Sequence, residues 1–513
     1  MIIGDSKHSV MATEAAAENA AYQELLDNVK RISNVKNAAG ILGWDQEVVM
    51  PEGGTPARSQ QRSALSAIAH ELLTDDEIGE LLDELESQEL DDEQAAVVRE
   101  VRREYERATR VPGELVEEIS RTTSEALPQW KEAKAEDDFS IFAPTLEKLV
   151  EQKREYAEHI DPDKDPYEVL FADYEPYLGI ETAEEMLTRL RDELVPLIDS
   201  IRESDVELAA PFDGTYDTDT QEQLSRDILD TLGYDWNRGR LDTAPHPFSS
   251  GTQFDARVTT RFDESDPLGA MMSTIHEFGH ATYTQGLPDE EYGTPLGQSR
   301  DLTAHESQSR IWENHVGRSR AFWERFLPAL KERFPDVEDA SVEDIYEAVN
   351  QVYEDNLIRV EADELTYHMH IVVRFEIEKA LIRGQIEVED VPELWNDKYE
   401  EYLGIRPDTD SEGCLQDIHW SHGSFGYFPT YSLGSVLAAQ LYAKAEEDIP
   451  DLDDQIRNGE FDEFHDWLTS NVHQHGCLYT TDELIEEATG EEFTADYFLE
   501  YADEKYAELY DLE

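Results

Sequence analysis

Two histidines four residues apart, His276 and His280, frame Glu277 in the pentapeptide HEFGH. Residues i and i+4 of a helix stand one turn apart on the same face. Two imidazoles so placed can take one Zn²⁺ at about 2.0–2.1 Å each. Glu277, beside the first of them, would then project toward a water in the open coordination position instead of toward the metal, which is what a metallopeptidase needs of its general base. The competing reading is an amphipathic helix with two satisfied histidines. Gly279 weighs against it, because glycine costs about 1 kcal/mol relative to Ala in a helix interior and is tolerated where something must approach closely.

Such a site needs a third protein ligand and a fourth position left open. A further His six residues after His280 would mark a metzincin, but that position is Gly286. The next candidate stretch, GQSRDLTAHESQSRIWENHVG at 297–317, reads as a second helix carrying His305 and Glu306. The intervening GLPDEEYGTPLGQ is rich in Gly and Pro and can turn the chain back, so that Glu306 completes a His₂Glu site. Alternatively, Glu306 only pairs with Arg310 one turn on, a bond of about 0.3–0.5 kcal/mol. His305 would face another way, in a supporting or structural role.

The elements that must position these residues are mostly helical. Apolar residues recur at 3.6 spacing over 12–35, 57–160, 181–203, 218–233 and 299–384; a further helix within 38–61 should end near Met50–Pro51, and 413–443 leads into another helix, with the rest helical to the end. Pro112, Pro128 and Pro144 read as helix starts, and breaks are expected near Pro328 and Pro335. The segment 243–266 alternates instead, with Thr, Val and Phe between turn residues, and predicts one or two short strands just before the HEFGH helix. No repeat or linker divides the chain. The expected fold is mainly α, a single large helical body with a small β element next to the HExxH helix. A flexible extension over 1–12 would precede a body spanning 13–513, and either Met1 or Met11 could be the start.

Composition narrows the partners. The 513 residues carry 118 acidic and 42 basic side chains, a formal net charge of −76. Nucleic acid and anionic membrane surfaces are therefore not expected partners. Aromatics make up 10% of the chain, more than a disordered acidic segment carries, so the charge reads as the solvated shell of a halophile's protein. Two cysteines, Cys414 and Cys477, make no disulfide framework, and a reduced, cytoplasmic compartment is expected. No run approaches 18 apolar residues, and no secretory leader is recognisable.

Several ordered motifs resemble those of the Taq-type metallocarboxypeptidases (family M32): LGWDQEVVMPEGG at 42–54, HPF at 246–248, DxRxT at 255–259, HExxH at 276–280, HESQ at 305–308 and GxxQDxHW at 413–420. The resemblance spans most of the chain. It implies a helical fold with a deep central groove, related to angiotensin-converting and neurolysin-type peptidases, and a homodimer. It implies release of single residues from peptide C-termini with broad preference and poor release of Pro, on zinc or cobalt. It also implies that Arg359 and Arg406 hold the substrate carboxylate, a task suited to bidentate guanidinium; the alternatives are an ion pair of Arg359 with Glu361, Asp363 or a neighbour, and a loop salt bridge for Arg406. Asp255 and Arg257 lie on the predicted strand, which could pair with the substrate backbone; a structural Asp–Arg pair competes. His419, helped by Tyr427, is a candidate donor to the oxyanion or substrate, against a buried, hydrogen-bonded His and a core Tyr. His246 is a candidate substrate contact, although HPF reads as a turn. Two other functions remain open: an aminopeptidase or endo-oligopeptidase on the same centre, and a non-enzymatic acidic metal-binding protein, against which Glu277 argues.

Overall fold

The stretches with helical spacing form helices, and where one ends a breaker usually stands. The computed structural model describes residues 5–353 and 355–512, with side chains described from residue 20 onward. α1 (Asp5–Val48) is one unbroken helix where two segments were expected, and it stops ahead of Met50–Pro51. Proline pushes the residue before it out of the helical region. The boundary proposed at residue 12 falls within α1, and residues 1–4 lie outside the described ones, so that division remains a proposal. α2 (Thr55–Leu73), α3 (Asp76–Glu86), α4 (Asp92–Arg110), α5 (Gly113–Glu136), α6 (Ala143–Ile160), α7 (Pro166–Phe171), α8 (Ile180–Glu203) and α9 (Thr218–Leu232) follow.

Pro112 caps α5 and Pro144 sits in the first turn of α6, as expected. Pro128 does not start a helix; it lies inside α5. Likewise Pro328 lies inside α12 (Arg320–Arg333) and does not break it. A proline removes one ladder bond, and buried anchors on either side, Ala126 and Trp130 in α5 and Phe326 and Leu330 in α12, hold each helix through that loss.

The β element has three strands, one more than expected: β1 (Gly239–Thr243), β2 (Ser249–Thr252) and β3 (Asp255–Thr260). Their order is β1-β3-β2, with β3 parallel to β1 and antiparallel to β2. β1 escaped the sequence reading because GRLDT has little of the alternation that marks a strand. The sheet packs on α10 (Pro267–Gly286), the HEFGH helix. Then come α11 (Leu302–Arg310), a wide π-type turn over Ile311–Gly317, α12, α13 (Val342–Val349), α14 (Tyr367–Ile382) and α15 (Val391–Leu403). The chain closes with α16 (Pro429–Asp448), α17 (Leu452–Asn458), α18 (Asp462–Asn471), α19 (Thr481–Thr489) and α20 (Asp496–Tyr510).

Two large apolar clusters meet at α16. Leu433, Val436 and Ala439 face the cluster built on α5–α8, α14 and α15. Leu437, Ala438 and Leu441 face the one that holds α10 and α12. α16 is therefore hydrophobic nearly all round, as a helix in the middle of a large body should be. α11 lies against both α16 and α10, its closest partners. Among the described residues no helix is long and apolar enough to cross a membrane.

Candidate metal centre and its surroundings

His276 and His280 project from α10, and Glu306 projects from α11, so that one ligand atom from each lies within 4.8 Å of the others. Glu306 Oε2 is 3.5 Å from His280 Nε2 and 3.8 Å from His276 Nε2. The two helices come this close because Gly279 faces α11 and Gly434 of α16 faces Glu306. A Cβ on Gly434 would meet the Glu306 Cβ at 2.5 Å. At its start α11 is fixed by Asp301, which accepts from Ala304 N–H, and by the fully buried Glu175, which accepts from Thr303 N–H at 2.7 Å.

The donor set suits a divalent cation, because the far side of each ring is already engaged. His276 Nδ1–H donates to Glu313 Oε2 at 2.9 Å, and His280 Nδ1–H donates to the His305 carbonyl at 3.0 Å. Both bonds fix the tautomer that leaves Nε2 with a free lone pair toward Glu306. His305 Nδ1 lies 2.6 Å from His280 Nδ1 and must accept there. Burial first, then the neighbouring His280, lower its pKa to about 3, so it stays neutral and can do so. Its ring thus touches His280 from outside the cluster.

Arg310 binds Glu306 through Nε at 2.8 Å and Glu313 through NH1 at 3.2 Å. The ion pair set against the ligand role in the sequence is present and leaves the other oxygen for a ligand, since Glu306 gives Oε1 to Arg310 and turns Oε2 to the histidines. Burial pushes the Glu306 carboxyl up, but Arg310 and His276 outweigh it and hold it well below the usual range. For His276, burial works against charge, and Glu306 with the Glu313 bond raises the pKa nonetheless. Glu277 is 7% exposed, and burial raises its carboxyl. A base with a raised pKa is a better proton acceptor.

From Arg310 a chain of contacts leads to Arg359. The Arg310 guanidinium lies over the Tyr367 ring, 5.0 Å from its centroid, and Arg359 NH1 donates to the Tyr367 hydroxyl at 3.0 Å. Arg359 lies 5.4 Å from the Tyr431 ring and 5.6 Å from that of Phe428. Its Nε and NH2 both go to a single oxygen, Asp417 Oδ1. The partner is thus Asp417, and neither Glu361 nor Asp363. Arg374, fully buried, takes the other oxygen, Oδ2, at 2.6 Å. The Tyr427 ring edges onto Tyr431, and its hydroxyl is raised chiefly by burial, with Glu306 near enough to push the same way. The His419 ring lies 5.5 Å from that of Tyr427, and its Nδ1 is buried without a hydrogen bond. Burial lowers the His419 pKa to about 4, so the ring is neutral.

Four of the other candidates make no hydrogen bond or ion pair to the metal cluster among the described residues. Arg406 is on the surface, bound to Glu393, Asp397 and Glu400 of α15 at 2.8–2.9 Å. The loop ion pair is therefore what the structure has, and no bond links Arg406 to the metal cluster. Asp255 and Arg257 bond each other at 2.6 and 2.8 Å, and Arg257 lies over the Trp44 ring at 4.2 Å. Their strand β3 is the middle one of three, with partners on both edges. The expectation that it pairs with substrate is corrected: both of its edges are taken. His246 is exposed in the turn between β1 and β2.

The sequence reading missed Glu313, Asp417, Tyr367, Tyr431 and Arg374. Glu313 follows Glu306 by seven residues, two turns on the same face, and a ligating His almost always needs such a partner. Asp417 was in view inside GxxQDxHW but unassigned.

Comparison with known proteins agrees over nearly the whole length. The sequence profile described as Carboxypeptidase Taq (M32) metallopeptidase matches residues 24–506. Thermostable carboxypeptidase 1 of Thermus thermophilus is 40% identical over 509 residues, covering 96% of this chain and 99% of that one. Carboxypeptidase 1 of Bacillus subtilis is 38% identical over 493 residues, covering 95% and 98%. The crystal structure of an M32 carboxypeptidase from Deinococcus radiodurans superposes with a TM-score of 0.93 at 38% identity, covering 96% of this chain and all of that one.

Proposed function

The chain belongs to the carboxypeptidase Taq (M32) family of metallopeptidases and is a metal-dependent carboxypeptidase; from that premise we propose that it releases single residues from peptide C-termini, with broad preference and poor release of Pro. His276, His280 and Glu306 hold the cation, for which zinc fits two imidazoles and a carboxylate, with cobalt as the alternative. Bound there, the cation supplies Lewis acidity to the scissile carbonyl and to the attacking water.

The remaining work falls to side chains. Glu277 takes the proton of the attacking water as its oxygen bonds to the carbonyl carbon. The same carboxyl delivers that proton to the leaving nitrogen as the C–N bond breaks, giving a carboxylic acid and an amine; the acid's proton then passes to the amine, leaving a carboxylate and an ammonium ion. Tyr427 O–H and an N–H of neutral His419 donate to the carbonyl oxygen as it gains charge. Arg359 receives the substrate's terminal carboxylate. The observation that carries this reading is the link Glu306–Arg310–Tyr367–Arg359, which sets a buried guanidinium two side chains beyond a metal ligand. Asp417 occupies one edge of Arg359 and fixes its plane; a second acceptor can approach the remaining donors. Asp255, Arg257 and His246 are left with at most a peripheral part in binding, and Arg406 with none.

The enzyme acts on peptides, and we propose a homodimer in a reduced cytoplasm of high ionic strength. Hydrolysis of an N-blocked dipeptide, its C-terminal amide and an N-free peptide of the same sequence tests the reading. Cleavage of the first and third with the amide spared is expected; cleavage of the amide as fast as the acid would make it an endopeptidase. Glu277→Gln should keep its metal and lose about 10²- to 10⁴-fold in turnover.

A further inference from the structure

Glu378 of α14 is fully buried, makes no ion pair among the described residues, and accepts three hydrogen bonds from neutral donors. Trp420 Nε1–H donates to Oε1 at 2.8 Å, Gly426 N–H to Oε2 at 3.0 Å, and the Tyr167 hydroxyl of α7 to Oε2 at 3.2 Å. Two of these donors are placed with regard to the active site. Trp420 is the residue after His419, and Gly426 is the residue before Tyr427. Each carboxylate oxygen therefore holds one end of the segment that runs between the two candidate donors.

That segment is loose by composition. It contains Gly423 and Gly426, both at positive φ, 68° and 85°. Glycine is demanded at Gly426, where a Cβ would come within 2.7 Å of the Phe171 backbone nitrogen. Two glycines between two reacting groups give the backbone freedom that something else must remove. A buried carboxyl with no direct ion pair among the described residues is a costly means of doing so unless its bonds are needed. We propose that Glu378 is a positioning residue, whose two oxygens set the placement of His419 and Tyr427 relative to each other and to the metal ligands. This rests on the roles proposed above for those two residues.

The clamp tolerates a proton. With Oε2 protonated, the Tyr167 hydroxyl reverses from donor to acceptor, and Oε2 still accepts from Gly426. A glutamine cannot do this: its amide nitrogen faces either Gly426 N–H or Trp420 Nε1–H, and one tie is lost in either orientation.

The test is a cycle of variants of the metal-loaded enzyme, assayed with an N-blocked dipeptide. Glu378→Gln should lower kcat/KM by about 10- to 100-fold, the scale on which an ångström of misplacement acts, with metal stoichiometry unchanged. In the His419→Ala, Tyr427→Phe background the same change should cost less than about twofold, because the residues being positioned are gone. Wild-type activity in Glu378→Gln, or its full loss repeated in that background, overturns the proposal. Should Glu378→Gln not fold, Trp420→Phe, which removes the Oε1 tie and keeps an aromatic ring, is decided by the same two outcomes. If His419→Ala and Tyr427→Phe alone are each fully active, their assigned roles fall, and the positioning role with them; the single variants tell that failure apart from one confined to Glu378.

Discussion

Gly279 and Gln308 touch backbone to backbone: a Cβ on Gly279 would lie 2.5 Å from the Gln308 carbonyl oxygen and 2.6 Å from the Ser309 Cα. Gln308 is two residues beyond Glu306, so this contact sets how near the Glu306 carboxylate comes to the two histidines. Alanine at 279 gains about 1 kcal/mol of helix propensity but must push α11 away, and overpacking of this kind costs about 1–3 kcal/mol. Gly279→Ala is expected to lower Tm and, more tellingly, to weaken metal binding. Titration with a chelator measures the second effect; unchanged metal affinity would mean that the helix spacing does not govern the site.

Much of this was readable in the residues. The glycine inside HEFGH announced a close approach before any partner was known, and the one-turn spacing of HExxH together with HESQ pointed to the cluster of His276, His280 and Glu306. What escaped depends on distant pieces meeting. Arg359 and Asp417 are 58 residues apart and bond at 2.8 Å, and nothing in either stretch names the other. Arg406 stayed open between two readings because an arginine followed by Pro and Asp in a loop looks the same whether it faces a groove or three surface carboxylates. The prolines at 128 and 328 misled because tertiary burial, invisible locally, outweighs the ladder bond a proline removes.

Glu313 serves His276 as a hydrogen-bond acceptor and is itself held by Arg310 and Arg318 at 3.2 and 2.9 Å. Losing such a partner typically costs 10–100-fold in metal affinity or activity. Glu313→Ala is therefore expected to raise the metal dissociation constant by about that factor, while the turnover of the fully loaded enzyme falls less than in Glu277→Gln. Competition with a chromophoric chelator reads the constant directly, and a wild-type value would remove Glu313 from the site.

For Arg359 the expected signature is a split between substrates. Arg359→Ala leaves Asp417 with Arg374 alone, so the variant should fold, though less stably. KM for an N-blocked dipeptide should rise at least tenfold, as loss of a charge-assisted pair worth about 1.5–3 kcal/mol requires. The residual cleavage of the corresponding amide should be unchanged. Equal losses on acid and amide would show that Arg359 supports the fold instead of reading the carboxylate.

Glu378 gives a pH dependence whose sign can be worked out. Burial raises its pKa to about 7, against the donors Gly426, Trp420 and Tyr167 and the charge of Arg374. The folded state then binds more protons than the unfolded one between the ordinary carboxyl range and 7. The stability this group contributes is present at pH 4.5 and is lost as the pH rises through 7. Chemical denaturation of wild type and Glu378→Gln at pH 5 and pH 8 isolates the effect, because the remaining carboxylates are common to both. The wild type's advantage should shrink between the two; a constant difference would place the carboxyl in its ordinary range.

The last expectation concerns the charge of the whole molecule. With 118 acidic and 42 basic residues, even the complete pairing of every base leaves most carboxylates without one. Some bases hold several acids, as Arg406 holds Glu393, Asp397 and Glu400, which leaves still fewer for the rest. Surface pairs of this sort contribute about 0–1 kcal/mol, too little to offset repulsion over the whole shell. Salt weakens both, but there is far more repulsion to weaken. The Debye length falls from about 10 Å at 0.1 M to about 3 Å at 1 M, so Tm should climb steeply with KCl over that interval and flatten beyond it. A neutral osmolyte at matched osmolality acts by exclusion from the surface and should give a shallower rise without the plateau. Equal melting temperatures in 0.1 M and molar KCl would mean that the acidic shell places no strain on the fold, and the proposal of a high-salt setting would lose its physical basis.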